Sequence, residues 1–128
     1  MIAYCTYCSA EKDHSEISLP AISRYKSSRI TKVYNSAITE NVEFVILSGK
    51  YGIIDAHQNI DYYDHLLVPS EVDEHSELVT SQLKEMGITK LMFYAVSVLK
   101  DPNIQSYIDC IKLGAAKNGT AIEIREFS

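Results

Sequence analysis

Five residues of this sequence could together hold and transform a small anionic molecule. Lys12 and Lys50 are candidates for binding a phosphate or a carboxylate, which an ammonium group attracts as a point charge. Tyr51 and Tyr63 could stack on a nucleobase, because every base offers a flat π-face. Asp64 follows Tyr63, and a carboxylate that is shielded from water beside a phenol has its pKa moved toward neutrality. Asp64 is therefore a candidate catalytic acid or base, and the equal alternative is that it caps a turn or pairs with a lysine.

A second feature is the abrupt end of an apolar segment. The β-branched run 42–47 predicts a buried strand, and it stops at residues 48–52, Ser-Gly-Lys-Tyr-Gly. Glycine permits left-handed backbone angles and a close approach by another group. We interpret this segment as the edge of a ligand site, where Ser48 binds the anion together with the lysines. The alternative is a tight turn with a solvated lysine and a half-packed tyrosine.

Alternating strand and helix signals predict the elements that position these groups. The predicted strands are 1–7, 42–47, 90–96 and 120–127, and the predicted helices are about 20–38 with a break near Ser27, 70–86 and 104–118. A loop rich in histidine, tyrosine and aspartate covers 56–69. This order predicts one α/β domain over 1–128, a three-layer α/β/α sandwich with a mostly parallel sheet of about four strands.

The predicted strand ends collect the polar residues. Ligands of open parallel sheets bind beyond the carboxyl ends of the strands. The first predicted strand ends at Cys8 and Ser9, with Lys12 close behind, the second ends at Ser48, and the third ends near Ser97. We therefore expect these groups to converge, with Ser9 as a second candidate catalytic residue and Cys8 as a candidate substrate-binding residue.

Composition limits the class of protein. The chain has 128 residues, of which 46% are hydrophobic and 23% charged, as in one ordinary soluble domain. A net charge of −5 argues against a broad basic surface for duplex nucleic acid, though a small local patch stays open. No apolar run has the length of a membrane span, and the start lacks a signal-peptide pattern. We expect a cytoplasmic protein that needs no cofactor and no membrane, and the oligomeric state stays open.

The cysteines and arginines receive simple interpretations. Cys5 lies inside an apolar strand three residues before Cys8, so the two side chains point to opposite faces, unlike those of a helix-opening redox motif. We expect a buried Cys5 and no zinc site, because no second pair of ligands has the right spacing. Cys8 could be a nucleophile, but the sequence places no histidine near it. Arg24 and Arg29 are interpreted as solvated helix charges.

Four motifs resemble, in the same order, those of a small uncharacterised prokaryotic domain family. They are Cys8-Ser9-x-x-Lys12, Pro20-Ala21-x-x-x-Tyr25-x-Ser27, Leu47-Ser48-Gly49-Lys50-Tyr51-Gly52-x-x-Asp55 and Ile60-x-x-Tyr63-Asp64-x-x-Leu67. The third motif and the later tyrosine also resemble the family of the bacterial peroxide-stress protein YaaA, which is DNA-associated. The first motif is similar to the Cys-Ser…Lys domain of archaeosine synthase and of archaeal tRNA-guanine transglycosylase relatives.

The resemblance implies a role with nucleobases or nucleic acids and a Rossmann-like or uracil-DNA-glycosylase-like fold. It adds Tyr25, Ser27 and Asp55 to the candidate substrate-binding residues. The first hypothesis is an enzyme that transfers or hydrolyses at a base or glycosidic bond of a nucleobase, nucleoside or nucleotide. The alternative is a non-catalytic nucleotide- or nucleic-acid-binding stress-response module resembling YaaA. A third interpretation makes the motifs structural, with Ser48 and Asp64 satisfying backbone groups of loops.

Overall fold

A five-stranded sheet organises the fold of the protein, whose structure is a computed structural model that describes residues 1–127. The elements are β1 (Ile2–Tyr7), β2 (Leu19–Pro20), α1 (Ala21–Arg24), α2 (Ser28–Glu40), β3 (Glu43–Ser48), β4 (Gly52–Asp55), β5 (Asn59–Ile60), a 3-10 turn (Pro69–Glu71), α3 (Val72–Met86), β6 (Lys90–Ala95), α4 (Ile104–Asn118) and β7 (Ala121–Glu126).

β1 lies at the centre of this sheet, whose strand order is β4-β3-β1-β6-β7. It pairs in parallel with β3, where Tyr7 is opposite Leu47, and with β6, where Thr6 is opposite Tyr94. β7 is parallel to β6 at one edge, whereas β4 is antiparallel to β3 at the other. The predicted α/β class and mostly parallel sheet are thus confirmed, with one strand more than the sequence predicts.

The additional strand is β4, and it changes the interpretation of the glycine-flanked segment. Ser48 at the end of β3 pairs with Gly52 at the start of β4, so the residues between them form a hairpin turn. Gly52 has a φ of 72°, in the left-handed region that side chains resist. Gln82 of α3 fixes the turn, because it accepts from Ile53 N at 2.6 Å and donates to Tyr51 O at 2.9 Å. The backbone of this segment is the tight turn of the alternative interpretation.

The predicted break near Ser27 is confirmed. α1 ends at Arg24 and α2 begins at Ser28, where Ile30 N donates to Ser27 Oγ at 3.3 Å. This contact satisfies one of the amides that the first turn of a helix leaves unpaired. α2 contacts β1 and β3, while α3 and α4 pack against each other. Within residues 1–127, no helix combines the length and the apolar character that crossing a bilayer requires.

Arg24 joins the loop after β1 to the segment around β5. Its side chain is fully buried, and its guanidinium donates to the backbone oxygens of Asp13 at 2.6 Å, Ser15 at 2.9 Å and Ile60 at 3.2 Å. A further bond reaches Ile17 O. The expectation that Arg24 is a solvated helix charge is wrong, because backbone carbonyls take the place of water around it.

Candidate functional site

A cleft of about 290 Å³ lies at the carboxyl ends of β1 and β6. The segment after β1, residues 64–66 and the start of α4 form its walls. The polar residues that line it include Cys8, Ser9, Lys12, Arg29, Asp64 and Asp101. From β1 the chain continues to β3, which pairs with one side of β1, and it later enters β6, which pairs with the other side. The cleft therefore lies at the point where the strand order changes direction. Ligands of open α/β sheets bind at such points.

Lys12 is the most unusual residue of the cleft. Its side chain is only 6% exposed, and its ammonium group makes one long hydrogen bond, 3.5 Å to Ala10 O. The ammonium lies 4.7 Å from the ring centroid of Tyr63 and 5.9 Å from that of Tyr25. No carboxylate of residues 1–127 forms an ion pair with it. The charge is therefore buried with aromatic faces and a single carbonyl as compensation, an arrangement that costs free energy.

Three hydroxyl groups form a buried chain at the end of β3. Ser48 Oγ accepts from Lys50 N at 3.1 Å and from Tyr51 N at 3.0 Å, and it lies 2.8 Å from Tyr63 Oη. Because the two amides use both of its lone pairs, the Ser48 hydroxyl donates to Tyr63, which in turn contacts Tyr25 Oη. Burial raises the pKa of Tyr25 and of Tyr63, so both are neutral phenols near pH 7. Ser48 thus satisfies the hairpin turn and orders the tyrosines.

Lys50 approaches the same tyrosine from the hairpin. Its Nζ lies 5.8 Å from the Tyr63 ring centroid and 5.2 Å from that of Tyr51. The two tyrosine rings meet edge to face with their centroids 5.2 Å apart. Since Lys12 contacts the Tyr63 ring as well, the structure brings the two candidate anion-binding lysines to one side chain. Lys50 is exposed in a second depression, and Asp64 borders both this depression and the cleft.

The two candidate catalytic residues differ in what holds them. Asp64 is exposed, and no hydrogen bond from another residue within 1–127 reaches its carboxylate. Ser9 donates its hydroxyl proton to Glu11 O at 2.6 Å, which stabilises the turn after β1. The structure therefore leaves Asp64 available to a ligand, whereas the Ser9 hydroxyl is already engaged.

Two candidate binding residues lie apart from this group. Ser27 caps α2 and is engaged by that helix. Asp55 lies opposite Val45, three residues before the carboxyl end of β3, because β4 runs antiparallel and carries it away. It is exposed, and its carboxylate accepts from His57 N at 2.8 Å. Both residues have structural contacts in place of the expected position at the cleft.

Gly49 explains the close approach that glycine was expected to permit. A Cβ at this position would lie 2.9 Å from Tyr107 Oη, 3.0 Å from His65 O and 3.1 Å from Leu67 N. Real Cβ atoms are rarely that close to any other atom. The group that approaches the glycine is therefore the loop after Asp64 and a side chain of α4, and the turn packs against the chain itself.

Arg29 is a residue of the cleft that sequence reasoning missed. Its guanidinium lies 3.6 Å from the ring centroid of Tyr7, donates to Tyr7 O at 2.8 Å and Cys8 O at 3.3 Å, and bonds Thr6 Oγ1. Burial lowers the pKa of Arg29, yet a guanidinium stays charged at neutral pH. The expectation of a solvated charge is wrong here too. The strand order could have predicted the position of Arg29. A helix that connects two parallel strands, as α2 connects β1 and β3, begins near the carboxyl end of the first strand.

Tyr107 of α4 was also missed, and it connects three parts of the site. Its hydroxyl oxygen accepts from Leu67 N at 3.1 Å and lies 3.7 Å from Cys8 Sγ. Burial raises the pKa of Tyr107, so its hydroxyl keeps its proton. All three cysteines are free thiols, and Cys5 and Cys110 are fully buried in the core, as expected for Cys5. Cys8 alone of the three lines the cleft.

A histidine reaches the cleft although none lies near Cys8 in the sequence. His65 follows Asp64 and lines both the cleft and the depression in which Lys50 lies. Its Nε2 lies 3.0 Å from Glu71 Oε1, and the same oxygen accepts from Val68 N at 3.2 Å. This backbone hydrogen bond, followed by the contact with His65, lowers the pKa of Glu71, so the pair consists of a carboxylate and an oriented imidazole.

Within residues 1–127, no three His, Cys, Asp or Glu side chains are grouped closely enough to hold a metal ion. The chain was compared with models of protein families, with curated proteins and with solved structures, and no family model, curated protein or solved structure matches it.

Proposed function

We propose that the cleft at the ends of β1 and β6 binds the anionic part of a nucleobase, nucleoside or nucleotide. The protein then catalyses a transfer or a hydrolysis at the base or at the glycosidic bond of this ligand. The burial of Lys12 without a carboxylate partner is the observation that carries this proposal. A bound phosphate or carboxylate would supply the missing negative charge, and the contact would gain strength from the low exposure of the ammonium group.

The neighbouring residues fit an anion that carries a planar ring. Arg29 adds a second positive charge to the wall of the cleft, and Ile104 and Tyr107 give it apolar and aromatic surface. Asp64 at the border of the cleft would serve as the acid or base, because its carboxylate has no other partner within 1–127. The motif resemblance to nucleobase-related families supports the same class of ligand.

Calorimetry with AMP, adenosine and inorganic phosphate tests the binding. We expect AMP to bind more tightly than adenosine, and phosphate to compete with AMP. Lys12→Met should weaken the binding of AMP by about tenfold or more, since hydrogen bonds to charged groups contribute about 1.5–3 kcal/mol. Lys32→Met, which removes an exposed charge from α2, is the matched control. Absence of binding by all three compounds, or equal loss in both variants, would contradict the proposal.

The second candidate function is a non-catalytic nucleotide- or nucleic-acid-binding module. The engagement of the Ser9 hydroxyl by Glu11 O favours it, because one of the two candidate catalytic groups is then occupied. Chromatography of bound nucleosides after incubation separates the two functions, since only the enzyme releases a free base, and Asp64→Asn should abolish that release. Filter binding of single-stranded oligonucleotides tests the nucleic-acid version, and any affinity must rise as salt falls.

We also propose the finer fold as a doubly wound, three-layer sandwich of the Rossmann-like or uracil-DNA-glycosylase-like kind. Right-handed crossovers between parallel strands would put α2 on one face of the sheet and α3 with α4 on the other. The contacts of α2 with β1 and β3, and of α3 with α4, support this arrangement.

A further inference from the structure

We propose that Cys8 is the nucleophile of the cleft, that it attacks an electrophilic carbon of the anionic ligand, and that His65 accepts the thiol proton. This proposal rests on the proposed function, since the anion-binding groups would deliver the ligand to the sulfur. Cys8 is 8% exposed and lines the cleft, whereas Cys5 and Cys110 are completely buried. The position at the end of the central strand is where open α/β sheets present reactive groups.

The surroundings of the sulfur are ordered. Tyr107 Oη lies 3.7 Å from Cys8 Sγ and is itself fixed by Leu67 N at 3.1 Å. The backbone of Cys8 is held on both sides, because its N–H donates to Leu47 O at 2.9 Å and its carbonyl accepts from Arg29 at 3.3 Å. The backbone of Cys8 is thus fully engaged, and its thiol donates to Tyr107 Oη, a hydrogen bond that has to be released when the sulfur attacks.

The buried ammonium of Lys12 is the independent sign of a ligand at this place. It lines the same cleft, is 6% exposed, and has one long hydrogen bond and no ion pair within residues 1–127. An anion that neutralises this charge is drawn into the cleft that Cys8 lines. The geometry therefore combines a charge that selects the ligand with a soft nucleophile.

His65 completes the arrangement as the proton acceptor. It is the imidazole among the residues that line the cleft, and the 3.0 Å contact of its Nε2 with Glu71 leaves Nδ1 as the second ring nitrogen. With Nε2–H donating to the carboxylate, Nδ1 carries the lone pair that takes a proton. Nucleophile, base and orienting carboxylate are the three roles of covalent catalysis by cysteine.

The step is a substitution. An electron pair of the Cys8 sulfur forms a new S–C bond while the bond from that carbon to its leaving group breaks. The leaving group departs with the bonding pair, and the thiol proton, which is donated to Tyr107 Oη before the reaction, passes to His65. Water then attacks the same carbon, and the sulfur leaves with the S–C bonding pair. His65 returns its proton to the sulfur, and the proton that water loses reaches the leaving group through solvent, so no oxidant or reductant is required.

Alkylation with iodoacetate and iodoacetamide tests both halves of the proposal. The two reagents transfer a carbon to sulfur with loss of iodide, and they differ in that iodoacetate is an anion. We expect both to modify Cys8 before Cys5 or Cys110, as located by peptide mass mapping, and to leave Cys8→Ser unmodified. We also expect iodoacetate to be favoured over iodoacetamide, relative to their rates with glutathione, and inorganic phosphate to protect Cys8.

Variants separate the charge from the nucleophile. Lys12→Met should slow the alkylation of Cys8 by iodoacetate much more than its alkylation by iodoacetamide. Lys32→Met, which changes an exposed residue of α2, should leave the ratio of these two rates unaltered. His65→Gln should slow both reagents about tenfold or more, as loss of a general base does. His57→Gln is its matched control, because His57 is exposed and contacts Tyr34 of α2 at 3.2 Å.

The outcomes distinguish this inference from the proposed function. Alkylation of Cys8 at or below the rate of Cys5 and Cys110 would overturn the role of Cys8, even where calorimetry shows bound phosphate. Rapid alkylation of Cys8 without a preference for iodoacetate and without protection by phosphate would leave the nucleophile in place and contradict the anion site. Equal rates of Cys8 alkylation in His65→Gln and in the protein without a substitution would show that His65 is not the base.

Discussion

The hydroxyl groups of Ser48 and Tyr63 lie 2.8 Å apart, and this contact joins the end of β3 to the loop that carries Asp64. Ser48 also holds the backbone amides of Lys50 and Tyr51, so one serine orders the hairpin turn and the tyrosine beside it. The relationship places the two candidate lysines around a single ring, although they are far apart in sequence.

Tyr63→Phe should lower the free energy of unfolding by about 1–3 kcal/mol, because the variant leaves the buried hydroxyls of Ser48 and Tyr25 without their shared partner. Unfolding in urea measures the change. Tyr62→Phe is the control, since Tyr62 is 41% exposed and the loss of its hydroxyl should alter stability by less than about 0.5 kcal/mol. Equal stability of the two variants would show that the hydroxyl chain contributes nothing.

Lys12→Met should raise the free energy of unfolding of the ligand-free protein by about 1–2 kcal/mol, since it removes a buried charge that has no carboxylate partner. The gain should shrink when phosphate is added, because phosphate binds the protein that has the lysine more tightly and so stabilises it more than the variant. Urea unfolding in chloride buffer with and without phosphate provides the comparison, again with Lys32→Met as reference. A destabilised Lys12→Met protein would mean that the aromatic faces alone compensate the charge.

Arg24→Lys should destabilise the protein by about 3 kcal/mol or more, close to the effect of Arg24→Met. An ammonium group cannot reach the carbonyl groups that the planar guanidinium bonds at the same time. Thermal unfolding followed by circular dichroism tests this expectation. Arg125→Lys serves as the control, since Arg125 lies on the edge strand β7 with a side chain that is 37% exposed. Full tolerance of Arg24→Lys would contradict the bridging role.

Stability should fall at alkaline pH because of buried thiols. Burial raises the pKa of Cys110 from 9.0 to about 12. The unfolded chain loses this proton above pH 9, while the folded protein retains it to about pH 12. The contribution is therefore complete below pH 9 and is lost as the pH rises toward 12.

Cys110→Ala should reduce the slope of unfolding free energy against pH by about 1.4 kcal/mol per pH unit above about pH 9.5. Below that pH range, the difference in unfolding free energy between Cys110→Ala and the protein without a substitution should stay constant. This constant difference reflects a small loss of packing. Urea unfolding at several alkaline pH values measures the slope. An unchanged slope would assign the alkaline loss to the other buried groups.

The sequence predicts the alternating elements well because they depend on local periodicity. The break at Ser27 was found since a serine followed by a helical pattern is a local signal. β4 was missed, because four residues after a turn have no pattern of their own and pair only through the adjacent β3. The antiparallel direction of β4 also explains why Asp55 lies away from the cleft.

The approach of the two candidate lysines to one another is the part of the geometry that strand ends determine. Parallel pairing of β1 with β3 brings Lys12 and Lys50 to the Tyr63 ring, as the strand-end rule suggests. Arg29, His65 and Tyr107 were missed as members of the site, because their places depend on tertiary packing. Burial of an arginine among backbone carbonyls leaves no pattern in neighbouring residues.

The contacts of Gly49 restrict how this cleft could change its specificity. A side chain there would press on Tyr107 Oη and Leu67 N together, at 2.9 and 3.1 Å, and would displace the phenol that contacts Cys8. Adaptation to a larger or smaller ligand therefore has to come from walls that do not pack against Gly49, above all the segment after β1. Directed evolution of the protein should leave position 49 unchanged while those walls vary.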